Sequence, residues 1–230
     1  GVAITPRSGK AVEVNSLWYN ANKIMADLSK KFGHSQNAKK YKLIAEKCKK
    51  SFNDKFYNKR RKCLYDVLGD SKIRPNQLFA LSLSHPIVDN AEIAEQVLNT
   101  VENKLLNKYG LKTLSSDEDG YVDVYEGSAY KRDLSYHQGI TWPWLLGLYY
   151  DALKNTMIIE KNRTKKQELE EKITKLVYTT KETFKAEMFE RSSIGTISEI
   201  YDSTEPYEER GAFAQAWSVA EIFRIVLNKR

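Results

Sequence analysis

The sequence of 230 residues is poor in the residue types that several classes of protein require. Two cysteines, Cys48 and Cys63, are too few for a disulfide framework or a zinc site, and the three histidines lie far apart. No apolar run approaches the roughly 18 residues that a membrane-spanning helix needs. Residues 1–7 also lack the basic and apolar regions of a signal peptide. These features predict a cytoplasmic protein that uses no metal or cofactor and contacts no membrane.

Apolar residues, by contrast, are plentiful. Hydrophobic residues make up 41% and aromatic residues 11% of the chain, a composition that supports a packed core and argues against disorder. The length favours one compact domain.

Positive charge is concentrated in one segment. Residues 39–62 carry eleven Lys and Arg residues against two acidic ones, so this segment is +9 in a chain whose net charge is +7. A solvated, lysine-rich helix face is the favoured interpretation, because the segment lacks interleaved aromatic residues that stack on bases.

Apolar residues recur at helical spacing along most of the chain, which predicts an all-α fold. About seven helices are expected, at residues 14–31, 35–52, 76–83, 89–105, 142–153, 164–184 and 212–228. Asp89 with Glu92, and Thr164 with Gln167, have the spacing of capping boxes at helix starts. Strand-like pieces are short, at 64–68 and 121–125. The first helix has an apolar face that is formed by Val14, Leu17, Trp18, Ala21, Ile24, Met25, Leu28 and Phe32.

The connecting segments carry glycine, proline, carboxylates, arginine and tyrosine out of proportion to simple connectors. They are residues 1–13, 64–76, 108–137 and 188–211. The segment 108–137 is far longer than an ordinary helix connection, and loops of that length are commonly functional. Aromatic rings stack on sugar rings, while carboxylate, Arg, Asn and Gln side chains bind sugar hydroxyls. Helices with such loops gathered at one end are therefore predicted to form a sugar-binding site.

Four motifs follow one another in the sequence. They are Thr-Pro-Arg-Ser-Gly-Lys-Ala-Val-Glu-Val-Asn-Ser-Leu-Trp-Tyr-Asn at 5–20, Arg-Pro-Asn-Gln at 74–77, Tyr-His-Gln-Gly-Ile-Thr-Trp-Pro-Trp-Leu at 136–145, and Ser-Glu-Ile-Tyr-Asp at 198–202 with Arg-Gly-Ala-Phe-Ala-Gln-Ala-Trp at 210–217. Together they resemble the amylo-α-1,6-glucosidase domain of glycogen debranching enzymes. The resemblance implies an (α/α)6 toroid, as in glucoamylase-like enzymes, and hydrolysis with inversion of α-1,6-linked glucose at the branch stubs of glycogen or another branched α-glucan.

An inverting glycosidase needs two carboxyl groups about 6.5–9.5 Å apart, one as general acid and one to activate water. The resemblance implies that Glu199 is the general base. The family's general acid lies in a Trp-Met-Asp motif before the Thr-Pro-Arg segment, and this sequence contains no such motif. We therefore expect residues 1–230 to be the C-terminal portion of the domain, without the N-terminal helices of the toroid, and to be inactive alone.

The matched motifs also imply a set of substrate-binding residues. Arg7 and Arg210 are expected to orient carboxylates through bidentate pairs. For Trp18, packing in the core and contact with the sugar are equally expected. For Trp217, packing in the core is the favoured prediction. The residues expected to bind substrate are Arg7, Glu13, Asn15, Trp18, Tyr19, Asn76, Gln77, His137, Gln138, Trp142, Trp144 and Gln215.

Other interpretations remain open. A toroid glycosidase that acts on α-1,4 glucosides is one alternative, because the sequence does not fix linkage preference. A non-catalytic α-glucan-binding module is another, and it predicts sugar binding that Glu199→Gln leaves unchanged. A nucleic-acid binder using residues 39–62 would show salt-dependent affinity, but nucleic acid is not the expected partner. A partial toroid would also expose apolar helix faces, so self-association is predicted.

Overall fold

Helices dominate the structure, a computed structural model that describes residues 3–191 and 194–227. In these ranges the helices are α1 (Val12–Lys31), α2 (Ser35–Lys55), α3 (Phe79–Ser82), α4 (Ala91–Lys104), α5 (Ala129–Gln138), α6 (Leu145–Ile159), α7 (Arg163–Glu190) and α8 (Ala216–Leu227). The strands are β1 (Tyr57–Asn58), β2 (Cys63–Leu64), β3 (Leu106–Asn107), β4 (Gly110–Lys112), β5 (Thr141–Trp142), β6 (Ile200–Tyr201) and β7 (Glu209–Arg210). A mostly helical fold is thus confirmed, with a two-stranded and a five-stranded sheet that the sequence did not predict. No helix within the described ranges is both long and apolar enough to cross a bilayer.

Asparagine side chains cap two of the long helices. At the start of α4, Asn90 accepts a 3.0 Å hydrogen bond from the backbone N–H of Ile93. At the start of α7, Asn162 accepts one of 3.0 Å from the backbone N–H of Thr164. These bonds satisfy backbone donors that a first turn leaves without partners. The predicted capping boxes began at Asp89 and Thr164, so they are wrong by one residue for α4 and by two residues for α7.

The core is built around α6. Eight of its 15 residues are buried, among them Leu146, Tyr149 and Leu153, because α6 packs against α3, α4, α7 and α8. A helix with apolar residues on most sides is stable only when its neighbours cover those sides. The start of α6 is therefore held rigidly where Trp144 precedes its first turn.

The orientation of α1 is opposite to what its pattern suggests. An apolar helix face normally packs on the core, but Val14, Trp18 and Phe32 are 59%, 56% and 68% exposed, and the other large side chains of that face are exposed as well. The buried side of α1, which packs on α2 and α3, carries mainly small or polar side chains, namely Val12, Ser16, Tyr19, Asn22, Ala26 and Ser29. An apolar stripe consequently runs along the surface of α1.

Five of the strands form one antiparallel sheet in the order β3-β4-β5-β6-β7. β5 lies at its centre, where Trp142 pairs with Leu111 of β4 and Thr141 pairs with Tyr201 of β6. Strands of two or three residues are too short to show a period-two pattern in a sequence. Their pairing places Glu199, the residue before β6, close to the Trp142 segment.

All of α5 except its last residue lies within the segment 108–137, which was predicted as one long loop. Its N-cap is Ser128, whose side chain accepts a 3.3 Å hydrogen bond from the backbone N–H of Lys131. The buried residues of α5 are Ser135 and Gln138, so no apolar period marks it as a helix. The loop prediction is therefore wrong for α5, and the strand-like piece at 121–125 forms no strand.

Candidate functional site

Several loops meet at a cavity of about 370 Å³, which we call the tryptophan cavity. Its volume is at the lower end of the range for small-molecule sites. Five residues predicted to bind substrate line it, namely Arg7, Asn76, His137, Trp142 and Trp144. The other lining residues are Thr5, Arg74, Pro75, Thr113, Tyr136, Leu145 and Trp217.

Three tryptophans form one wall of the cavity. The rings of Trp144 and Trp217 are stacked, with centroids 5.5 Å apart and planes at 27°. Trp142 meets Trp217 edge-on, with centroids 5.9 Å apart and planes at 67°. Such contacts hold aromatic rings in fixed planes. The wall therefore offers rigid apolar faces of the kind on which a sugar ring stacks.

Both carboxylate oxygens of Glu199 are held by hydrogen bonds. Oε1 accepts one of 2.7 Å from the hydroxyl of Tyr136, and Oε2 accepts one of 2.9 Å from the backbone N–H of Ala212. The Tyr136 ring lies edge-on to Trp142, with centroids 4.7 Å apart, so the carboxylate is tied to the wall of the cavity. Burial and the hydrogen bond to Glu199 raise the pKa of Tyr136, which keeps its hydroxyl a donor at neutral pH.

Gly211 provides the space that Glu199 occupies. Its φ is +70°, a left-handed conformation that glycine adopts without steric cost. A Cβ at this position would lie 2.5 Å from Oε2 and 3.1 Å from Cβ of Glu199. Any other residue at position 211 would therefore displace the carboxylate.

Arg7 links the N-terminal segment to the cavity through two carboxylates. Its Nη1 and Nη2 donate to the two oxygens of Glu13 at 2.6 and 2.7 Å, which is the predicted bidentate pair. Its Nε lies 2.8 Å from Oδ2 of Asp66, whose side chain is 1% exposed. Asn76 donates to Oδ1 of Asp66 at 2.8 Å. Burial raises the pKa of Asp66, while the hydrogen bond from Asn76 and the charge of Arg7 oppose that rise.

Arg74 is buried and holds the end of α5. Its Nη1 donates to the backbone carbonyls of Thr113 and His137 at 3.0 and 2.9 Å, and its Nη2 donates to Oε1 of Gln138 at 2.5 Å. Gln138, which was predicted to bind substrate, thus has its side-chain oxygen bound within the protein. The His137 side chain is 45% exposed, and its Nε2 lies 3.5 Å from Oδ1 of Asp133.

Four predicted residues on α1 do not line the cavity, and Glu13, which is paired with Arg7, is one of them. The Asn15 side chain donates to the backbone carbonyl of Ala11 at 2.7 Å. Tyr19 is buried, and its ring centroid lies 6.0 Å from the Nζ of Lys49. Trp18 lies on the outward apolar stripe.

Like Gln138, two further predicted glutamines lie outside the cavity lining. Gln77 is buried, accepts a 3.2 Å hydrogen bond from the backbone N–H of Leu64 and donates to the backbone carbonyl of Arg74 at 3.0 Å. Gln215 is half-buried just before α8, and its backbone N–H donates to the carbonyl of Ile197 at 3.0 Å. For Gln77 the structure shows a role in holding the backbone.

Sequence reasoning missed two residues at the centre of the geometry. Tyr136 directly precedes His137 in a matched motif, so its position was a usable signal. Trp217 was assigned to the core because it lies on an apolar helix face, but it is 46% exposed and lines the cavity. The assignment to the core is wrong because the side chain of Trp217 faces the tryptophan cavity and not the buried side of α8.

Within residues 3–191 and 194–227, no group of three or more His, Cys, Asp or Glu side chains is placed to hold a metal ion. The two cysteines are not joined in a disulfide. Burial raises the pKa of Cys63 to about 11, which leaves the thiol protonated and a poor nucleophile at neutral pH.

Comparison with known proteins adds a fold match and a family match. A solved structure described as a sialidase matches 96% of this chain with a TM-score of 0.69 and 14% sequence identity. The similarity at that identity concerns the fold alone, and this chain spans 20% of the length of that protein. The family model described as amylo-alpha-1,6-glucosidase matches residues 1–224. The chain therefore belongs to the amylo-alpha-1,6-glucosidase family.

Proposed function

We propose that this chain is part of an inverting glycoside hydrolase that removes α-1,6-linked glucose from branch stubs of glycogen or a related α-glucan. Glu199 is the general base in this proposal. The observation that carries it is the Glu199 carboxylate, which Tyr136 and the backbone N–H of Ala212 hold at the wall of an aromatic cavity.

In the proposed reaction Glu199 accepts a proton from a water molecule. The water oxygen attacks the anomeric carbon while the bond to the leaving oxygen breaks, and a second carboxyl group protonates that oxygen. Each carboxylate oxygen has two lone pairs, so Glu199 can bind water in addition to Tyr136 and Ala212. Two fixed oxygens keep the proton acceptor in one position, which favours the aligned geometry that the reaction needs.

The cavity suits a neutral sugar. Trp142, Trp144 and Trp217 offer apolar faces. The charges of Arg7 and Arg74 are balanced by those of Glu13 and Asp66. An ionic ligand would therefore find little uncompensated charge at this wall. Aromatic faces with polar groups at their edges are the combination that sugar rings require.

The general acid is proposed to come from sequence outside residues 1–230. No Asp or Glu of the described residues, Glu199 included, contributes a lining residue to the tryptophan cavity, and Glu199 is held at the cavity wall through its hydrogen bond from Tyr136. Asp202, a carboxylate close in sequence to Glu199, already accepts hydrogen bonds from the backbone N–H of Tyr125 and from Arg210, both at 2.8 Å. Because general-acid catalysis contributes about 10²–10⁴-fold in rate, we expect the chain alone to be inactive.

We also propose that these helices form the C-terminal portion of an (α/α)6 toroid, the fold that the family resemblance implies. The outward apolar stripe of α1 supports this proposal, because Val14, Trp18 and Phe32 are large side chains that a neighbouring helix would cover. In the longer protein, further toroid helices would pack on that stripe.

Product stereochemistry tests this proposal. The assay uses the longer protein and a maltooligosaccharide that carries one α-1,6-linked glucose, and proton NMR follows the first glucose released. We expect β-glucose, with release from a linear α-1,4 maltooligosaccharide at least about tenfold slower. Initial α-glucose would contradict inversion, and preferred release from the linear substrate would support the α-1,4 alternative.

A further inference from the structure

A second depression, of about 500 Å³, shares Tyr136 with the tryptophan cavity. We call it the tyrosine groove, and it is lined by Tyr125, Ala129, Tyr130, Arg132, Asp133 and Tyr136. All but Tyr125 belong to α5, where positions three, four and seven residues apart share one face. The tyrosine groove is thus one helix face with the preceding segment beside it.

One aromatic side chain of the tyrosine groove, that of Tyr130, is open to solvent, while Tyr125 and Tyr136 are half-buried. Tyr130 is 56% exposed, and its hydroxyl makes no hydrogen bond to another described residue. The rings of Tyr125 and Tyr136 have centroids 6.2 Å apart and planes at 51°. Asp202 fixes the backbone of Tyr125 through a 2.8 Å hydrogen bond. Contacts within the protein therefore do not explain why the ring of Tyr130 is exposed. A ligand that stacks on this ring would explain it.

The charges of the tyrosine groove indicate what kind of ligand it takes. Arg132 supplies hydrogen-bond donors, and its Nη1 is oriented by a 2.6 Å bond to the carbonyl of Gly127. Asp133 supplies acceptors beside it. One cation and one anion give no net charge, and the carboxylate disfavours a phosphate. Aromatic faces with one donor group and one acceptor group fit a neutral polyhydroxylated ligand.

Tyr136 connects the two depressions to the proposed base. Tyr136 is a lining residue of both, and its hydroxyl donates to Glu199. A bond cleaved with the help of Glu199 would lie where the depressions meet, with one side of the substrate in each. We infer that the tyrosine groove binds the linear α-glucan chain that carries the branch, while the branch glucose occupies the tryptophan cavity. This inference rests on the proposed function.

The test compares a short and a long ligand on the same chain. Glucose and maltopentaose are titrated separately, by NMR, into the 230-residue protein and its variants. Tyr130→Ala removes the exposed ring, Tyr130→Phe keeps the ring, and Tyr178→Ala is the matched control because Tyr178 is 65% exposed on α7. Thermal melting establishes that each variant is folded.

We expect Tyr130→Ala to weaken maltopentaose binding about three- to tenfold, the range for loss of one aromatic contact. Glucose affinity is expected to stay unchanged, and Tyr130→Phe and Tyr178→Ala are expected to bind maltopentaose like the unmodified chain. Maltopentaose binding that Tyr130→Ala leaves intact, or that Tyr178→Ala weakens equally, would overturn the inference and leave the proposed function standing. Failure of the unmodified chain to bind either sugar would overturn both.

Discussion

Tyr136 donates a 2.7 Å hydrogen bond to Glu199, and this bond joins two segments that lie 63 residues apart in sequence. It connects α5, a helix with little apolar character, to the loop before β6. The carboxylate is therefore positioned by the fold as a whole rather than by its own loop, which makes its geometry sensitive to changes at neighbouring positions.

Gly211→Ala tests the space around the carboxylate. The added Cβ would lie 2.5 Å from Oε2 of Glu199, so the carboxylate must move. We expect glucose release by the longer protein to fall at least about tenfold, together with a loss of about 1 kcal/mol in the free energy of unfolding from backbone strain. Gly120→Ala is the matched control, because Gly120 has a similar φ of +86° and nothing within 4 Å of the added Cβ. Equal loss of activity in both variants would refute the steric explanation.

Asp66→Ala tests the ion-pair network beside the cavity. The side chain of Asp66 is 1% exposed and binds Arg7 and Asn76. Its removal leaves buried donors without partners, so we expect a loss of about 3 kcal/mol in the free energy of unfolding, measured with urea. Glu46→Ala, which breaks an exposed pair with Lys42, should cost less than about 0.5 kcal/mol. Similar costs for the two variants would contradict this account.

The fold and the site follow from the sequence to different extents. The helical periods identify every helix except α5. The four motifs contain Tyr136 and Ala212, which bind Glu199, and the three tryptophans of the cavity wall. The sheet is invisible in the sequence because its strands have two or three residues. For α1 the periodicity gives the helix but not the orientation, because packing on α2 and α3 decides which face is buried.

The same limit applies to individual site residues. A motif places Gln77, Gln138 and Asn76 near a site, but it does not show whether their amides face a ligand or the protein. In the structure Gln77 binds backbone groups, Gln138 accepts from Arg74, and Asn76 donates to Asp66. Only three-dimensional contacts distinguish these two roles.

Glu187 predicts a pH dependence of stability. Burial, and then its hydrogen bond to Glu209, raises the pKa of Glu187 from 4.5 to about 7, with Tyr201 and Arg191 also facing the carboxyl. Between these pH values the folded state keeps a proton that the unfolded state releases, so the free energy of unfolding should fall as the pH rises. The fall is on the order of 1–3 kcal/mol and levels off above about pH 7.

Urea unfolding between pH 5 and pH 8 measures this effect. Glu187→Gln, which mimics the protonated carboxyl, should flatten the decrease. Glu190→Gln changes an exposed residue of the same helix and should leave the decrease in place. A pH profile that Glu187→Gln does not alter would assign the effect to other groups.

The outward stripe of α1 predicts self-association of the chain alone through two copies of α1. Exposed apolar residues at positions 14, 17, 21, 24 and 28 follow the alternating three- and four-residue spacing on which paired helices pack. Sedimentation velocity should show a dimer that the double variant Leu17→Lys and Leu28→Lys converts to monomer. Leu43→Lys changes a leucine on α2 that is more exposed than either of these, and it should leave the dimer intact. A monomer at every concentration tested would contradict this prediction.

The most direct test of the central claim is glucose release from a maltooligosaccharide that carries one α-1,6-linked glucose. The comparison is between the longer protein and its Glu199→Gln variant, which keeps the side-chain shape and loses the basic carboxylate. We predict at least about a 10²-fold loss of glucose release in the variant, and no release by residues 1–230 alone. Release by Glu199→Gln at the unmodified rate would show that Glu199 is not the general base.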